Sequence, residues 1–333
     1  MSVWVTRQDG KEVRVELVIS HQRALWFWRT FGGDIRVFER CAYPEAMMKP
    51  PRLDAPLRGE LLRAGFTVSE ERPLDLLFFR DCTKSRSKQV RSHTTARQLP
   101  PGSLVRLSEH VLIASPELVF AQIAEDRSFE QLIMAGCELC GCYRVLGEDG
   151  TPLPLPEERP RLTRAADIAE TLQQLRLGPR TTSARASRHI FDNARSPMEA
   201  KVALLLSLPP RLGGFGLPRP VLNPDIHPGP RALALYPRTP CHPDLYWPAI
   251  RLDVEYDGAD THTAEAHAKD VARAAAFACE GIEVLVVAKA QVYDRWAFET
   301  MAGIIASRLH RSLPDCTPAS DRSHRRLRRE LGL

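Results

Sequence analysis

No apolar run in this 333-residue chain approaches the roughly 18 residues needed to span a bilayer. Its opening, residues 1–7, carries neither the apolar core of a signal peptide nor the basic amphipathic pattern of a presequence. Those two absences predict a cytoplasmic protein without membrane contact. Cysteines paired at framework spacings are missing too: the eight that occur are scattered, as in a chain that folds in a reducing compartment. Cys137, Cys140 and Cys142 look like half of a zinc site, but no second Cys/His pair at knuckle spacing accompanies them. Small side chains packed at a helix end are expected there instead. Strong charge of one sign is absent as well. A net charge of +5 and a pI near 8.8 permit nucleic-acid binding without requiring it. The basic segment carrying Lys84, Arg86, Lys88, Arg91, His93 and Arg97 has no interleaved aromatics to stack on bases, and such a run is more often a solvated face.

What the chain has in quantity is proline, 27 residues, gathered where elements connect. With 44% apolar residues it is long enough for two domains. Val3 and Val5, then Asp9-Gly10, then Val13, Val15 and Leu17 read as a hairpin. A helix capped by Ser20 follows, with Ala24, Leu25, Phe27 and Trp28 on its apolar face and Gly32-Gly33 at its end. A helix at 57–65, strands at 74–79, 89–93, 104–107 and 110–113, and helices at 116–125 and 128–140 complete an α+β pattern. The Pro- and Gly-rich stretch 147–160 reads as a linker. Two helices, 163–177 and 180–194, are expected after it; the second carries Arg185 and Arg188, which face either water or a phosphate backbone.

The second half opens on Ser196-Pro197-Met198-Glu199, a capping-box pattern that gives Glu199 a structural role without any catalysis. The helix it starts has an apolar side of Val202, Leu205, Leu206 and Leu208. Ten prolines punctuate residues 209–243, with extended pieces expected at 220–223 and 232–236. A helix at 263–280, a strand at 282–288 buried in the sheet interior, and a helix at 291–309 follow. The last residues, 321–333, carry five arginines and read as a partly helical, solvated end, with phosphate contact as the lesser alternative. The domains expected are therefore an accessory or targeting domain at 1–146, a linker at 147–160, a helical connection at 161–195, a second domain at 196–312 and a basic tail at 313–333. The fold class is α/β, α+β overall.

Between residues 241 and 258 the composition stops serving stability. Read as two strands joined by a turn at 248–251, the segment pairs symmetrically about the Ala249–Ile250 bond and sets Asp244 opposite Glu255, with β-carbons about 5 Å apart. Alternation puts Leu252, Val254 and Tyr256 on one face and Asp253, Glu255 and Asp257 on the other. Carboxylates that close raise one another's pKa unless a cation neutralises them, and a divalent metal is the simple remedy.

Helix, three strands, helix, strand, helix is the element order expected after residue 195. With Glu199 on the first helix, Pro243-Asp244 on one strand and Glu255-Tyr256-Asp257 on the next, this half resembles the restriction-endonuclease-like superfamily, the PD-(D/E)XK nucleases. It is more similar to the branch related to very-short-patch-repair endonucleases, in which a hydrophobic strand ends in Glu-Tyr-Asp-Gly before a His, an Asp-x-x-Arg helix and a buried strand. Here those are Val254-Glu-Tyr-Asp-Gly258, His262, Asp270-Val-Ala-Arg273 and residues 282–287, so the likeness covers about residues 195 to 310. It implies an αβββαβ core in which Asp244, Glu255 and the backbone carbonyl of Tyr256 hold Mg²⁺ (or Mn²⁺), with Glu199 contributing directly or through water. It also implies His262 as acid/base residue. Where the superfamily pattern has a lysine two residues after the Glu, this chain has Asp257. Candidates to stand in for that lysine are His262, Lys201 and Lys269, and Asp257 itself is a candidate further ligand.

The N-terminal half is similar to domains preceding this module in bacterial proteins that resemble abortive-infection transcriptional regulators, through residues 89–101 and 110–124. No winged-helix recognition helix is evident in it. The first expectation is thus a metal-dependent DNA endonuclease in phage defence or DNA repair, with DNA contacts from Lys201, Lys269, Arg273, Arg185 and Arg188 and a homodimer if both strands are cut. Two others stand beside it: a non-catalytic DNA-binding regulator, and a component of a toxin–antitoxin or defence pair that binds a partner protein.

Overall fold

Two stretches of the chain gather cores of their own, Met1–Ile190 and Phe191–Leu333. The computed structural model describes residues 3–6, 12–15, 17–42, 53–79, 85, 87–147, 149–258 and 264–333. The expected Asp9-Gly10 turn, His262, Lys84 and Arg86 lie outside the described residues.

In the first unit a mixed six-stranded sheet runs in the order Arg40–Cys41, Leu104–Arg106, Val111–Ala114, Leu17–Ile19, Leu74–Phe79, Val90–Thr95. Its central strands are apolar on both faces and buried, from Leu17 and Ile19 to Leu112 and Ile113, because helices cover them. Ser20, expected to cap the helix His21–Thr30, makes no side-chain cap bond, its hydroxyl donating instead to the Asp75 carbonyl at 3.3 Å, whereas Ser115 accepts from Leu118 N–H and Ser128 with Gln131 closes a full capping box on Phe129–Cys140.

The stretch 147–160 differs from the expected linker. Pro152–Glu158 is a strand paired antiparallel with Tyr143–Leu146. A two-stranded ribbon asks for donors on one side only, so it tolerates proline that an interior strand would not. Arg159 then ties the ribbon down, donating to the carbonyls of Tyr143, Trp28, Phe31 and Glu138. The helices expected as a connection, 161–195, belong to this same unit, and the second of them is the short Thr182–Ser187 rather than 180–194.

The second unit begins with the helix Pro197–Ser207 and carries a four-stranded sheet in sequence order: Val221–Leu222, Leu245–Trp247, Leu252–Asp257 and Glu283–Ala288. The first three strands pair antiparallel, and the last runs parallel to the third after the helix Ala264–Cys279. Three expectations change here. Residues 230–235 form a helix, not an extended piece, since Gly229-Pro230 supplies a helix start that overrides the Ala-Leu alternation. Glu283–Ala288 is an edge strand with Val286 54% exposed, because β-branched composition alone does not tell an edge from an interior. The helix expected at 291–309 is two, Lys289–Tyr293 and Arg295–Arg308, divided where Asp294 caps the second by accepting from Ala297 N–H.

The basic tail is also corrected. Pro318–Glu330 is a helix opened by a Thr317/Ser320 capping box, and His324, Leu327 and Arg328 are buried within the unit. Among the described residues no helix is long and apolar enough to cross a membrane.

Candidate functional site

The hairpin has the register that its turn and alternation dictate. Leu245 pairs with Val254, Tyr246 with Asp253 and Trp247 with Leu252 across a Pro248–Arg251 turn in which Arg251 takes a left-handed φ of 49°. One step beyond that ladder Asp244 comes level with Glu255. The Asp244 carboxylate accepts the Tyr256 amide at 2.9 Å, and its carbonyl accepts the Asn223 amide at 3.2 Å. Strand pairing thus delivers two carboxyls to one place.

Asp253 lies on the Glu255 face, as period-two alternation requires, and is 0% exposed. No donor meets either of its oxygens with hydrogen-bond geometry. Its polar neighbours are the Glu255 carboxyl, another acid, and the Leu245 backbone, and both act to lower its pKa. Glu255 in turn accepts from Arg273 at 2.5 Å, and Arg273 also donates to the His242 carbonyl at 2.6 Å while its guanidinium lies 5.3 Å from the Phe277 ring centre.

Glu199 reaches the cluster from the start of the Pro197–Ser207 helix. Ser196 accepts from the Glu199 amide at 3.2 Å, so half of the expected capping box is made. The reciprocal half is not: the buried carboxylate accepts from Arg195 N–H at 2.8 Å and from Asn223 Nδ2 at 2.6 Å. Asn223, buried and in the left-handed region at φ 45°, also donates to the Asn193 carbonyl. Asparagine tolerates that conformation better than most residues.

These placements push the acids in one direction. Burial, then Glu255 and Glu199, raise the Asp244 carboxyl well above the carboxylate range. Burial and the contact with Asp253 push Glu255 up to about 9, and Arg273 only partly offsets them. Asp253 rises to about 6 and Glu199 rises as well, both chiefly through burial. Beside them His242, half-buried, has Nδ1 3.2 Å from Asp225; burial and Arg195 hold its imidazole below the usual range, so it is neutral at physiological pH.

Among the other candidates, Asp257 ends the strand two residues after Glu255 and on the same face, its Cα level with Ala288. Lys201 sits two residues from Glu199, on the far side of a helix of 3.6 residues per turn. Its Nζ would lie 3.8 Å from a Cβ placed at Gly332, and its pKa is lowered by burial alone, with no carboxylate acting on it. The Lys269 side chain, like His262, is outside the described residues. Arg185 and Arg188 are exposed residues of the first unit, Arg185 lying 5.0 Å over Phe129.

Sequence reasoning left Asp253, Asn223, Arg195 and His242 out of the site. Asp253 had a signal, since it shares the acidic face; the other three act through backbone geometry that spacing does not reveal. Arg273, expected to contact DNA, pairs with Glu255.

Among the described residues no three His, Cys, Asp or Glu side chains already converge as metal ligands do. Glu255 is engaged by Arg273 and Asp253. The donor chemistry nonetheless fits a hard divalent cation: every group is an oxygen, and Asp253 is fully buried beside a second carboxyl. Comparison of the chain with protein-family models, with curated proteins and with solved structures finds no match.

Proposed function

We propose that the second unit is a metal-dependent DNA endonuclease with a restriction-endonuclease-like αβββαβ core. One observation carries the reading: Asp244, Asp253, Glu255 and Glu199 are gathered in partly or fully buried positions where each raises its pKa, an arrangement that costs stability unless a cation enters. The order of a helix, three strands with the short helix Pro230–Leu235 inserted after the first, a helix and a parallel strand supports it.

Asp244, Glu255 and the Tyr256 carbonyl would hold Mg²⁺ (or Mn²⁺), which would polarise a phosphodiester and lower the pKa of an attacking water. The chain's own groups prepare the rest. The Tyr256 amide fixes the Asp244 carboxylate, and Asn223 with the Arg195 amide fixes Glu199. Arg273 holds Glu255 against the strand and, with the carboxyl freed, is a cation within reach of a phosphate oxygen. Neutral His242 is a proton acceptor that does not depend on the missing lysine.

A second reading, a DNA-binding regulator without catalysis, draws on the Arg273–Glu255 pair, which neutralises part of the acid cluster by itself. Incubating supercoiled, linear and mismatched DNA with the full chain, in Mg²⁺ or in chelator, separates the two. Nicked or linear products in Mg²⁺ alone, lost in Asp244→Ala and in Glu255→Ala, are the expected result; salt-sensitive binding with every substrate intact would favour the regulator.

A further inference from the structure

The C-terminal helix, Pro318–Glu330, presents a surface that the acid site does not use. Its inner side is locked. His324 Nδ1 lies 2.7 Å from the Gly213 carbonyl, and Arg328 donates to the carbonyls of Val292 and Tyr293 at 2.7 and 2.9 Å. Leu327 packs where Gly213, at φ +95°, lets the backbone approach; a Cβ there would collide with the Ser323 carbonyl. At the other end Asp321 accepts from both Arg295 and Arg325.

With that side fixed, Arg322, Arg325, Arg326 and Arg329 are all exposed. At i, i+3, i+4 and i+7 they fall within an arc of about 100° and a length of about 10 Å on a helix of 3.6 residues per turn. Like charges at these spacings repel, and the pairing of Arg325 with Asp321 offsets this at one position of the row. The helix dipole favours cations in the last turn but not Arg322 in the first, so it does not explain the row. Beside the start of the helix, Trp296 is 68% exposed with the Arg295 guanidinium 4.9 Å over its ring, and Arg295 is tied to Asp321.

A straight row of guanidinium groups about as long as three base-pair rises, bordered by an exposed indole, fits a sugar–phosphate backbone. A lipid surface fits poorly, because the apolar side of this helix is already spent on the unit's interior. We propose that Arg322, Arg325, Arg326 and Arg329 form a backbone-binding surface for duplex DNA, separate from the acid site and independent of its cation. Only the choice of DNA as the polyanion rests on the endonuclease reading.

The test is fluorescence anisotropy of a labelled duplex with the full chain in chelator, where cleavage does not contribute, over roughly 50 to 200 mM salt. Replacing the four arginines together by Gln is expected to lower affinity about 100-fold or more and to reduce the slope of log K against log salt by about 3 to 4, at about 0.9 per phosphate contact. The fourfold Lys variant is expected to keep most of both. The single change Arg322→Gln, which leaves every buried contact of the helix in place, is expected to take about 0.9 from the slope even if the fourfold variant fails to fold. An unchanged slope in both Gln variants overturns the proposal, as does competition by anionic vesicles or structured RNA that exceeds competition by unlabelled duplex. Loss of the slope in a protein that cleaves nothing in Mg²⁺ would sustain this surface while removing the endonuclease reading.

Discussion

At the residue scale, Asp253 departs furthest from what a stable fold selects. A fully buried carboxyl in contact with a second carboxyl is costly unless a proton or a cation is shared between them. Asp253→Asn would remove the buried charge and turn that contact into an amide–carboxyl hydrogen bond. It is expected to stabilise the metal-free protein by about 1–3 kcal/mol in chelator and to weaken divalent-ion binding, read by denaturant unfolding and by calorimetry. A lower stability in chelator would mean that Asp253 already has its partner. Glu255 makes a second prediction through pH. Its ordinary value near 4.5 applies to the unfolded chain, and the folded value is about 9. Between those values the unfolded chain ionises and the folded one does not, so the metal-free protein loses stability as pH rises through that window. Asp244 and Glu199 act in the same direction. Melting temperature in chelator is therefore expected to fall from acidic to alkaline pH, and saturating Mn²⁺ to flatten the trend; a profile unmoved by metal would disconnect these acids from any cation.

Single elements show how far local chemistry reaches. The 244–255 pairing was legible because a tight turn and period-two alternation admit one register, and the Ser196 cap was legible because it needs only a few adjacent residues, whereas the hydroxyl of Ser20 is drawn away from its helix by the Asp75 carbonyl. What local chemistry does not encode is which side of an element meets another. Glu283–Ala288 reads as interior from its composition and is an edge; Pro318–Glu330 reads as a charged tail, although His324, Leu327 and Arg328 sit at one side of it and are buried. The 147–160 stretch belongs with these, since the chemistry that makes it a strand lies in its neighbours. Arg159, buried among four carbonyls, is the clearest case. Burial lowers its pKa to about 10, still charged at neutral pH. Arg159→Ala strands those acceptors and is expected to destabilise the first unit by about 3 kcal/mol, measured by hydrogen exchange on the amides of that unit. Exchange confined to the Pro152–Glu158 ribbon would show that the ribbon is not needed by the rest.

For the whole molecule, the two units carry different kinds of information. The first is stabilised by a covered sheet and buried polar ties. The second has little regular sheet for its size, yet it assembles Glu199, Asp244, Asp253, Glu255 and Arg273 from two helices and two strands. Three of those five, Glu199, Asp244 and Glu255, were legible in the sequence through the resemblance and the strand pairing. The remainder, Asp253 with its carboxyl neighbour and Arg273 with its carboxylate partner, is set by burial and by the approach of the Ala264–Cys279 helix. The central claim is that this cluster binds a divalent cation. Calorimetric titration of the full chain with Mn²⁺ at mildly alkaline pH tests it most directly. The account predicts saturable binding that Mg²⁺ competes for, proton release on binding because Glu255 and Asp244 must ionise, and loss of both in Asp244→Ala and Glu255→Ala. Heat and proton release unchanged in those two variants, or no binding by the parent protein, would contradict it.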